Sequence, residues 1–293
     1  MVRLIALIVI WAVSWPAIKI GVTTMPPLWY AFVRYLIAAF CLFGVVAWRR
    51  EAVLPSRADW PLVLVSSVLQ LGAFSALTGI ALTVLPPGRA SVLAYSTPLW
   101  VVPLAAWHLG ERVSRLGVVG VGAGICGIVV IAAPSMSPAR GDQIYAYALL
   151  VAAACSWAIS IVYVRAHRFQ SSTLTLAPWQ MTVAAVLLLP LALNFEHVPP
   201  RAAAASLLSL AYVGPVATAF AYWSVVELGR RYRAATISMA LLCVPPLGVL
   251  LSAAFLREHI DAALIAGILL IGAGIRMAAL PDGSAATFNT ALW

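Results

Sequence analysis

The sequence predicts an all-α polytopic membrane protein, with ten transmembrane helices arranged as two inverted five-helix repeats around a central cavity. Three observations predict this fold class: the composition, the lengths of the apolar stretches, and a residue pattern that occurs twice. Of the 293 residues, 63% are hydrophobic and only 9% are charged. Soluble domains carry charge on about a quarter of their residues. Since so few charged side chains cannot cover a soluble core, we expect lipid to surround the chain.

Apolar stretches of about twenty residues, the length that crosses a bilayer core, occur ten times. Short connections marked by prolines separate them, and no connection is long enough to hold a soluble domain. The first stretch contains Pro16 and Lys19 and lacks a cleavage site, so we interpret it as a retained helix and not as a signal peptide. The predicted spans are residues 3–22, 28–48, 60–82, 89–109, 115–133, 143–164, 174–194, 205–226, 233–255 and 262–280.

The repeated pattern relates residues 91–127 to residues 238–274 by an offset of 147. Nine positions in this window are identical, among them Pro98 with Pro245 and Glu111 with Glu258. Self-similarity at a fixed period is typical of a duplicated architecture. Because each half contributes five spans, an odd number, the second half must enter the membrane in the opposite orientation. The predicted halves are residues 3–133 and 143–280, and a disordered tail follows at residues 281–293.

The basic residues indicate how the spans are oriented. Twelve lie at one set of alternate span ends and five at the other, and Arg34 lies inside the second span. Since cytoplasmic ends are enriched in Lys and Arg, both termini are predicted to be cytoplasmic. The net charge of +9 is distributed in these short runs, so it indicates membrane orientation and not nucleic-acid binding. Inverted repeats with this arrangement are a design of transporters.

The first two spans contain candidate site residues. Trp15 and Lys19 are one turn apart and lie on one face of the first span. An ammonium group inside a span usually faces a cavity or a partner. The alternative is a lysine that extends to the membrane interface beside tryptophans of the aromatic belt. Arg34 could bind a substrate carboxylate through two hydrogen bonds, or it could tie helix ends together through backbone carbonyls.

Aromatic and hydroxyl side chains form a second group of candidates in the fourth, sixth and eighth spans. Sites for small aromatic or apolar molecules have such walls with few polar groups. Each aromatic residue could equally serve in packing, but we expect part of the group to line the cavity. The candidates are Tyr95, Trp100, Trp157, Ser160, Tyr222 and Trp223.

Prolines in the fourth and ninth spans are candidate hinges. A proline removes a backbone hydrogen bond and so lets a helix bend where an intact helix resists. Pro98 and Pro103 lie in the fourth span, and Pro245 and Pro246 lie at related heights in the ninth. We expect movement between two open states to occur at these four positions.

Several kinds of chemistry have no residues to support them. All nine acidic residues fall at span ends or in connections, so no carboxyl group at mid-depth is present to couple transport to protons. The sequence contains no catalytic signature and no metal-ligand spacing, and its four cysteines lie inside apolar spans. We therefore expect no enzyme activity, no cofactor and no bound metal. A membrane-embedded enzyme and a channel-like pore remain the alternative readings.

The sequence W-A-x-S with a lysine after it (Trp11 to Lys19), Arg34, and the Pro-plus-terminal-Glu pattern of spans four and nine resemble the EamA-type drug/metabolite transporter superfamily. The likeness covers residues 3–280, although Ala12 replaces a glycine that is frequent in the family. Within it, the chain looks most like the YddG-type exporters. This resemblance implies a bacterial cytoplasmic (inner) membrane protein that exports neutral or aromatic amino acids or related metabolites. It also implies a ten-helix basket whose helices five and ten lie outside the cavity wall.

The expected partners are a small-molecule substrate and membrane lipid, with no nucleic acid. A monomer would suffice for this function.

The predicted topology is testable by labelling single cysteines in a variant without the four native ones. We expect Asp142→Cys and Glu196→Cys to react with a membrane-impermeant maleimide added to intact cells. Ser114→Cys is the control and should react only after permeabilisation, because it lies on the cytoplasmic side. Labelling of Asp142→Cys from the cytoplasm alone would reverse the assignment.

Overall fold

The computed structural model describes residues 2–135, 141–197, 203–229 and 240–280. These residues are almost entirely helical, and no strand occurs among them. The all-helical fold class is therefore confirmed. The predicted tail at residues 281–293 and the start of the predicted ninth span lie outside the described residues.

The first half of the chain forms five helical segments, labelled α1 to α5. Pro27 and Pro87 each occupy the first turn of their helix, where a missing N–H costs nothing. The segments are α1 Val2–Thr24, α2 Pro27–Arg49, α3 Arg57–Val84, α4 Pro87–Leu109 and α5 Arg115–Ala132.

The second half of the described chain forms five further segments, α6 to α10. Helices α1 to α8 are long and apolar enough to cross a membrane, while α9 and α10 are shorter apolar helices of 13 and 17 residues. The segments are α6 Gly141–Ala166, α7 Thr173–Phe195, α8 Ala204–Gly229 in three consecutive pieces, α9 Val244–Leu256 and α10 Ala262–Ala278.

Helices α3 and α8 each contain a π-helical segment of eight residues, a form that is rare and concentrates at functional sites. In α3 the segment is Ser66–Ala73 and in α8 it is Val213–Phe220. The two segments are related by the same offset of 147 that relates the sequence repeat. The widened turn therefore occurs at equivalent positions in the two halves.

Helix α4 is interrupted at Tyr95 and Ser96, directly before Pro98. Proline has no N–H for the carbonyl of Ala94 four residues earlier, and lipid offers no water to replace it. The Thr97 hydroxyl donates to that carbonyl at 2.9 Å, so the interruption leaves no unsatisfied acceptor there. The chain shows a matching interruption at residues 242–243, just before Pro245, again at an offset of 147.

Helices α2 and α7 pack antiparallel. The carboxylate of Glu196, which follows α7, accepts the backbone N–H groups of Leu28 and Trp29 at the start of α2. In return, Ser172 at the start of α7 donates to Glu51, which lies just after α2 ends. Each helix of the pair therefore begins where its partner ends.

Helices α5 and α10 pack antiparallel through facing glycines. A Cβ atom on Gly120 would lie 2.6 Å from the carbonyl oxygen of Gly274, and one on Gly127 would lie 2.9 Å from that of Gly267. Such small-residue faces let helix backbones approach closely in lipid. The pair reaches the remaining helices mainly through α4, since Leu99 packs against Gly124.

Enlarging a glycine at this contact should destabilise the protein. We expect Gly120→Leu to lower the free energy of unfolding by about 1–3 kcal/mol, because the added atoms overlap the backbone of α10. Unfolding in mixed detergent micelles, followed by circular dichroism, measures the change. Gly122→Leu is the matched control, since no atom lies within 4 Å of a Cβ at that position. Equal stabilities of the two variants would contradict the described packing.

Candidate functional site

A cavity of about 590 Å³ lies between α1, α2, α3, α6, α7 and α8, with one contribution from the interruption in α4. Its size falls in the range of pockets that enclose a small molecule. Helices of both halves line it, whereas α9 supplies none of the described lining residues. The cavity is the candidate functional site.

Aromatic side chains form a continuous wall of this cavity. Tyr95, at the interruption in α4, contacts the rings of Trp15 and Trp157 at centroid distances of 6.3 and 6.5 Å. Trp157 also meets Phe74 edge to face at 4.8 Å. All four residues line the cavity. The structure thus brings together three of the predicted aromatic residues, from α1, α4 and α6, on one surface.

Arg34 lines the cavity from α2. Its Nε donates to the hydroxyl of Thr218 at 2.8 Å, and its guanidinium lies 5.1 Å from the centre of the Tyr35 ring. These contacts fix the plane of the guanidinium. Its two terminal nitrogens have no hydrogen-bond partner among the described residues and therefore retain their donors for a ligand.

Two glutamines add polar groups to the cavity wall. Gln180 on α7 accepts a hydrogen bond of 2.7 Å from the hydroxyl of Tyr222, and Gln70 on α3 accepts one of 3.4 Å from Ser160. Gln70, Gln180 and Tyr222 line the cavity, while Ser160 is fully buried beside it. No described residue accepts a hydrogen bond from either NH₂ group, so each glutamine retains these donors.

Lys19 does not line the cavity. Its ammonium donates to the backbone carbonyls of Leu82 at 2.5 Å, Leu85 at 3.2 Å and Thr83 at 3.4 Å, at the end of α3. The last carbonyls of a helix have no intrahelical partner, and a cation also complements the negative end of the helix dipole. Lys19 therefore fastens α1 to the end of α3.

The other predicted residues lie away from the cavity. The indole of Trp100 donates to Ser96 at 3.3 Å, and its ring packs in the apolar contact between α4 and α6. Trp223 meets the Phe220 ring at 5.8 Å, and the guanidinium of Arg49 lies 5.1 Å from its ring centre. The four candidate hinges Pro98, Pro103, Pro245 and Pro246 also do not line it.

Sequence reasoning missed Gln70, Gln180, Thr218 and Phe74 as site residues. One signal pointed to Gln180, which is the repeat equivalent of Arg34 at an offset of 146. For the others no pattern was available, because the π-helical segments change which side chains of α3 and α8 face inward.

The cavity extends to the surface where α6 ends and α7 begins. Arg165 and Phe169 line it there, Phe169 is exposed, and Arg165 forms an ion pair with Glu111 at the end of α4. At the opposite end of the cavity, two charged side chains bind the segment that connects α3 to α4. Lys19 donates to the carbonyls at the end of α3, and Glu258 accepts the N–H groups of Gly88 and Arg89 at the start of α4. Burial raises the pKa of the Glu258 carboxyl, and the two N–H groups oppose that rise only in part.

Arg89 at the closed end forms an ion pair with Asp261, which also caps α10 through the N–H of Leu264 at 2.8 Å. Burial by itself would raise the pKa of Asp261, but the N–H of Leu264 and the Arg89 guanidinium hold it below its usual value. Asp261 therefore stays ionised, and this charged contact between the two halves persists at neutral pH.

The distinction between Trp157 and Trp100 is testable by cysteine accessibility. We expect Trp157→Cys to react readily with a small charged methanethiosulfonate reagent, because water in the cavity carries the reagent to it. Trp100→Cys is the matched control and should react slowly, since its surroundings are apolar and packed. Labelling rates followed by mass spectrometry measure the difference. Equal rates would show that the cavity does not admit polar molecules to Trp157.

Comparisons with known proteins are consistent with this architecture. A probable amino-acid metabolite efflux pump of Salmonella typhimurium is 27% identical over 92% of this chain and 90% of its own. A probable terminal-alkyne amino-acid exporter of Streptantibioticus cattleyicolor is also 27% identical, over 92% and 91%. The uncharacterized transporter YoaV of Bacillus subtilis is 26% identical over 94% and 95%.

One solved crystal structure shares the fold, with a TM-score of 0.65 at 23% identity over 95% of this chain and 96% of that chain. The model of the EamA-like transporter family matches residues 1–133 and 144–280, which is nearly the whole described chain. With its helices of spanning length, the chain is a multi-pass membrane protein that belongs to the EamA-like transporter family.

Proposed function

We propose that this protein is a secondary transporter that exports small neutral or aromatic amino acids, or related metabolites, by alternating access. The observation that carries the proposal is the cavity of about 590 Å³, which helices of both halves enclose and which opens at one end. Two of the similar proteins are named as an amino-acid metabolite efflux pump and an amino-acid exporter, which supports this substrate class.

We further propose that α1 to α10 are ten transmembrane helices, in inverted repeats spanning residues 3–133 and 143–280. The paired π-helical segments and the paired interruptions before Pro98 and Pro245 support this arrangement. A third correspondence is the left-handed residue that ends α4 and α9, Gly110 with φ 68° and Arg257 with φ 55°. All three pairs share the offset of 147.

The packing of the helices is also paired between the halves. Helix α1 packs on α8 and α9, and its equivalent α6 packs on α3 and α4. Helix α2 packs on the π-helical segment of α8, and its equivalent α7 packs on that of α3. Two halves that make the same contacts in opposite orientations can exchange conformations, which would expose the cavity to either side of the membrane.

The open end of the cavity is the predicted cytoplasmic end, where the basic residues concentrate. On this assignment the structure is an inward-open state of a protein of the bacterial cytoplasmic membrane, with both termini cytoplasmic. Lys19, Glu196 and Glu258 then close the outer end. Opening to the outside requires some of these bonds to break, and the interruptions at Pro98 and Pro245 are the proposed hinges, with Pro103 and Pro246 beside them.

In the proposed site, Trp15, Arg34, Tyr95, Trp157 and Tyr222 contact the substrate directly. Ser160 acts through Gln70, and Lys19, Trp100 and Trp223 hold neighbouring helices in place. Among the described residues that line the cavity, none is Asp, Glu or His. We therefore propose a cycle that is not coupled to protons, since such coupling needs a group that titrates between the two open states.

Counterflow in proteoliposomes tests this function. We expect vesicles preloaded with unlabelled L-phenylalanine to accumulate labelled L-phenylalanine transiently, with saturation, because a carrier exchanges its substrate one for one. An imposed pH gradient should leave the initial rate nearly unchanged. A linear, non-saturable flux would indicate a channel-like pore, and chemical conversion without flux would indicate an enzyme. Strong acceleration by the gradient that disappears in Lys19→Ala would make Lys19 the proton site.

A further inference from the structure

We infer that Arg34 and Gln180 form a carboxylate site, so that the transported molecule must carry a carboxylate but does not need an amino group. This inference rests on the proposed transport function, whose substrate class it narrows. It depends on the charge of the cavity, the position of the two side chains, and the donors that each one retains.

The cavity contains an excess of positive charge. Arg34 and Arg165 are its two ionised side chains among the described lining residues, and Arg165 is paired with Glu111. Arg34 has no carboxylate partner among the described residues. The guanidinium of Arg34 is half-buried, and a charge in such a position gains from a nearby counter-charge. An anionic ligand group would supply the missing charge.

Arg34 and Gln180 both line the cavity and are both held by α8. Arg34 donates to Thr218 and Gln180 accepts from Tyr222, and these two hydroxyl residues are four positions apart. Side chains spaced in this way stand one turn apart on the same face of a helix. The guanidinium and the amide therefore meet α8 at successive turns, in the part of the cavity that lies between α2, α7 and α8.

Both groups present donors to this part of the cavity. The Nε of Arg34 is engaged by Thr218, which leaves its two terminal nitrogens, and the Oε1 of Gln180 is engaged by Tyr222, which leaves its NH₂ group. A carboxylate has only acceptors and pairs with a guanidinium through two parallel hydrogen bonds. The retained donors therefore match a carboxylate and do not match an ammonium.

No described lining residue offers a carboxylate to a substrate ammonium. Arg34 repels an ammonium, and the groups left for one are neutral: hydroxyls such as that of Ser66, and the aromatic wall of Trp15, Tyr95 and Trp157. A cation over an aromatic face gains modest energy compared with a desolvated ion pair. The amino group of an amino acid is therefore tolerated and not required.

Four probes with the same phenyl ring separate the two charged groups. L-Phenylalanine carries both, 3-phenylpropionate only the carboxylate, and L-phenylalaninamide and phenethylamine only the amine. Thermal stabilisation of the purified protein reports binding, and inhibition of phenylalanine counterflow reports transport. We expect both carboxylates to bind with similar affinity and both amines to bind at least about tenfold more weakly, which is the effect of losing a charge-assisted hydrogen bond.

Two substitutions at position 34 test whether Arg34 is responsible for the binding of carboxylates. We expect Arg34→Gln to weaken carboxylate binding by about ten- to a hundredfold, and Arg34→Lys to retain part of it, since a lysine keeps the charge but loses the planar pair of donors. Arg115→Gln is the control, because it removes the same charge at an exposed position outside the cavity. If Arg34→Gln fails to fold, Arg34→Lys and the four probes on the unaltered protein still show whether binding requires a carboxylate and depends on Arg34.

Equal binding of acids and amines, or no binding of either carboxylate, would overturn the inference. So would an unchanged preference for carboxylates in Arg34→Gln. Failure of the transport function gives a different result, in which the carboxylates stabilise the protein but no amino acid shows counterflow.

Discussion

The need to satisfy backbone hydrogen bonds without water governs the structure of this protein. In lipid each unpaired N–H or carbonyl is costly, so a helix can be irregular only where other protein groups replace the lost bonds. The irregular segments of α3, α4 and α8 follow this rule. Thr97 binds the carbonyl freed by Pro98, and Ser156 and Trp11 donate to carbonyls in the π-helical segments at 2.9 and 3.0 Å.

The side-chain donors to the two π-helical segments connect the two halves of the chain. Trp11 on α1 binds the carbonyl of Ala217 in α8, and Ser156 on α6 binds that of Leu69 in α3. Each half thus donates a hydrogen bond to the π-helical backbone of the other. When the halves move relative to each other, these hydrogen bonds must either be kept or be replaced by others. The π-helical segments and their donors therefore limit the conformational changes that the protein can make.

The sequence predicted the all-helical fold, and the structure places some of the predicted site residues around the cavity and others away from it. Hydropathy located the spans, because a helix in lipid requires a continuous apolar stretch, and the repeat predicted the paired interruptions near Pro98 and Pro245. Lys19 lies on the same face of α1 as Trp15 but one turn beyond it, where the carbonyls at the end of α3 bind its ammonium, and the sequence does not show this contact between distant segments. The π-helical segments were also not predictable, since no residue pattern distinguishes Ser66–Ala73 from an ordinary α-helix.

The position of the inferred carboxylate site suggests how binding could drive movement. A ligand shifts a conformational equilibrium only if it binds the two states differently. Thr218, which orients Arg34, belongs to the π-helical segment of α8, whereas Arg34 and Gln180 belong to α2 and α7. The binding of a carboxylate by Arg34 and Gln180 is therefore sensitive to any displacement of α8 relative to α2 and α7. The rearrangement that opens the outer end must move helices of one half relative to the other, and it therefore alters the geometry on which the affinity of this site depends.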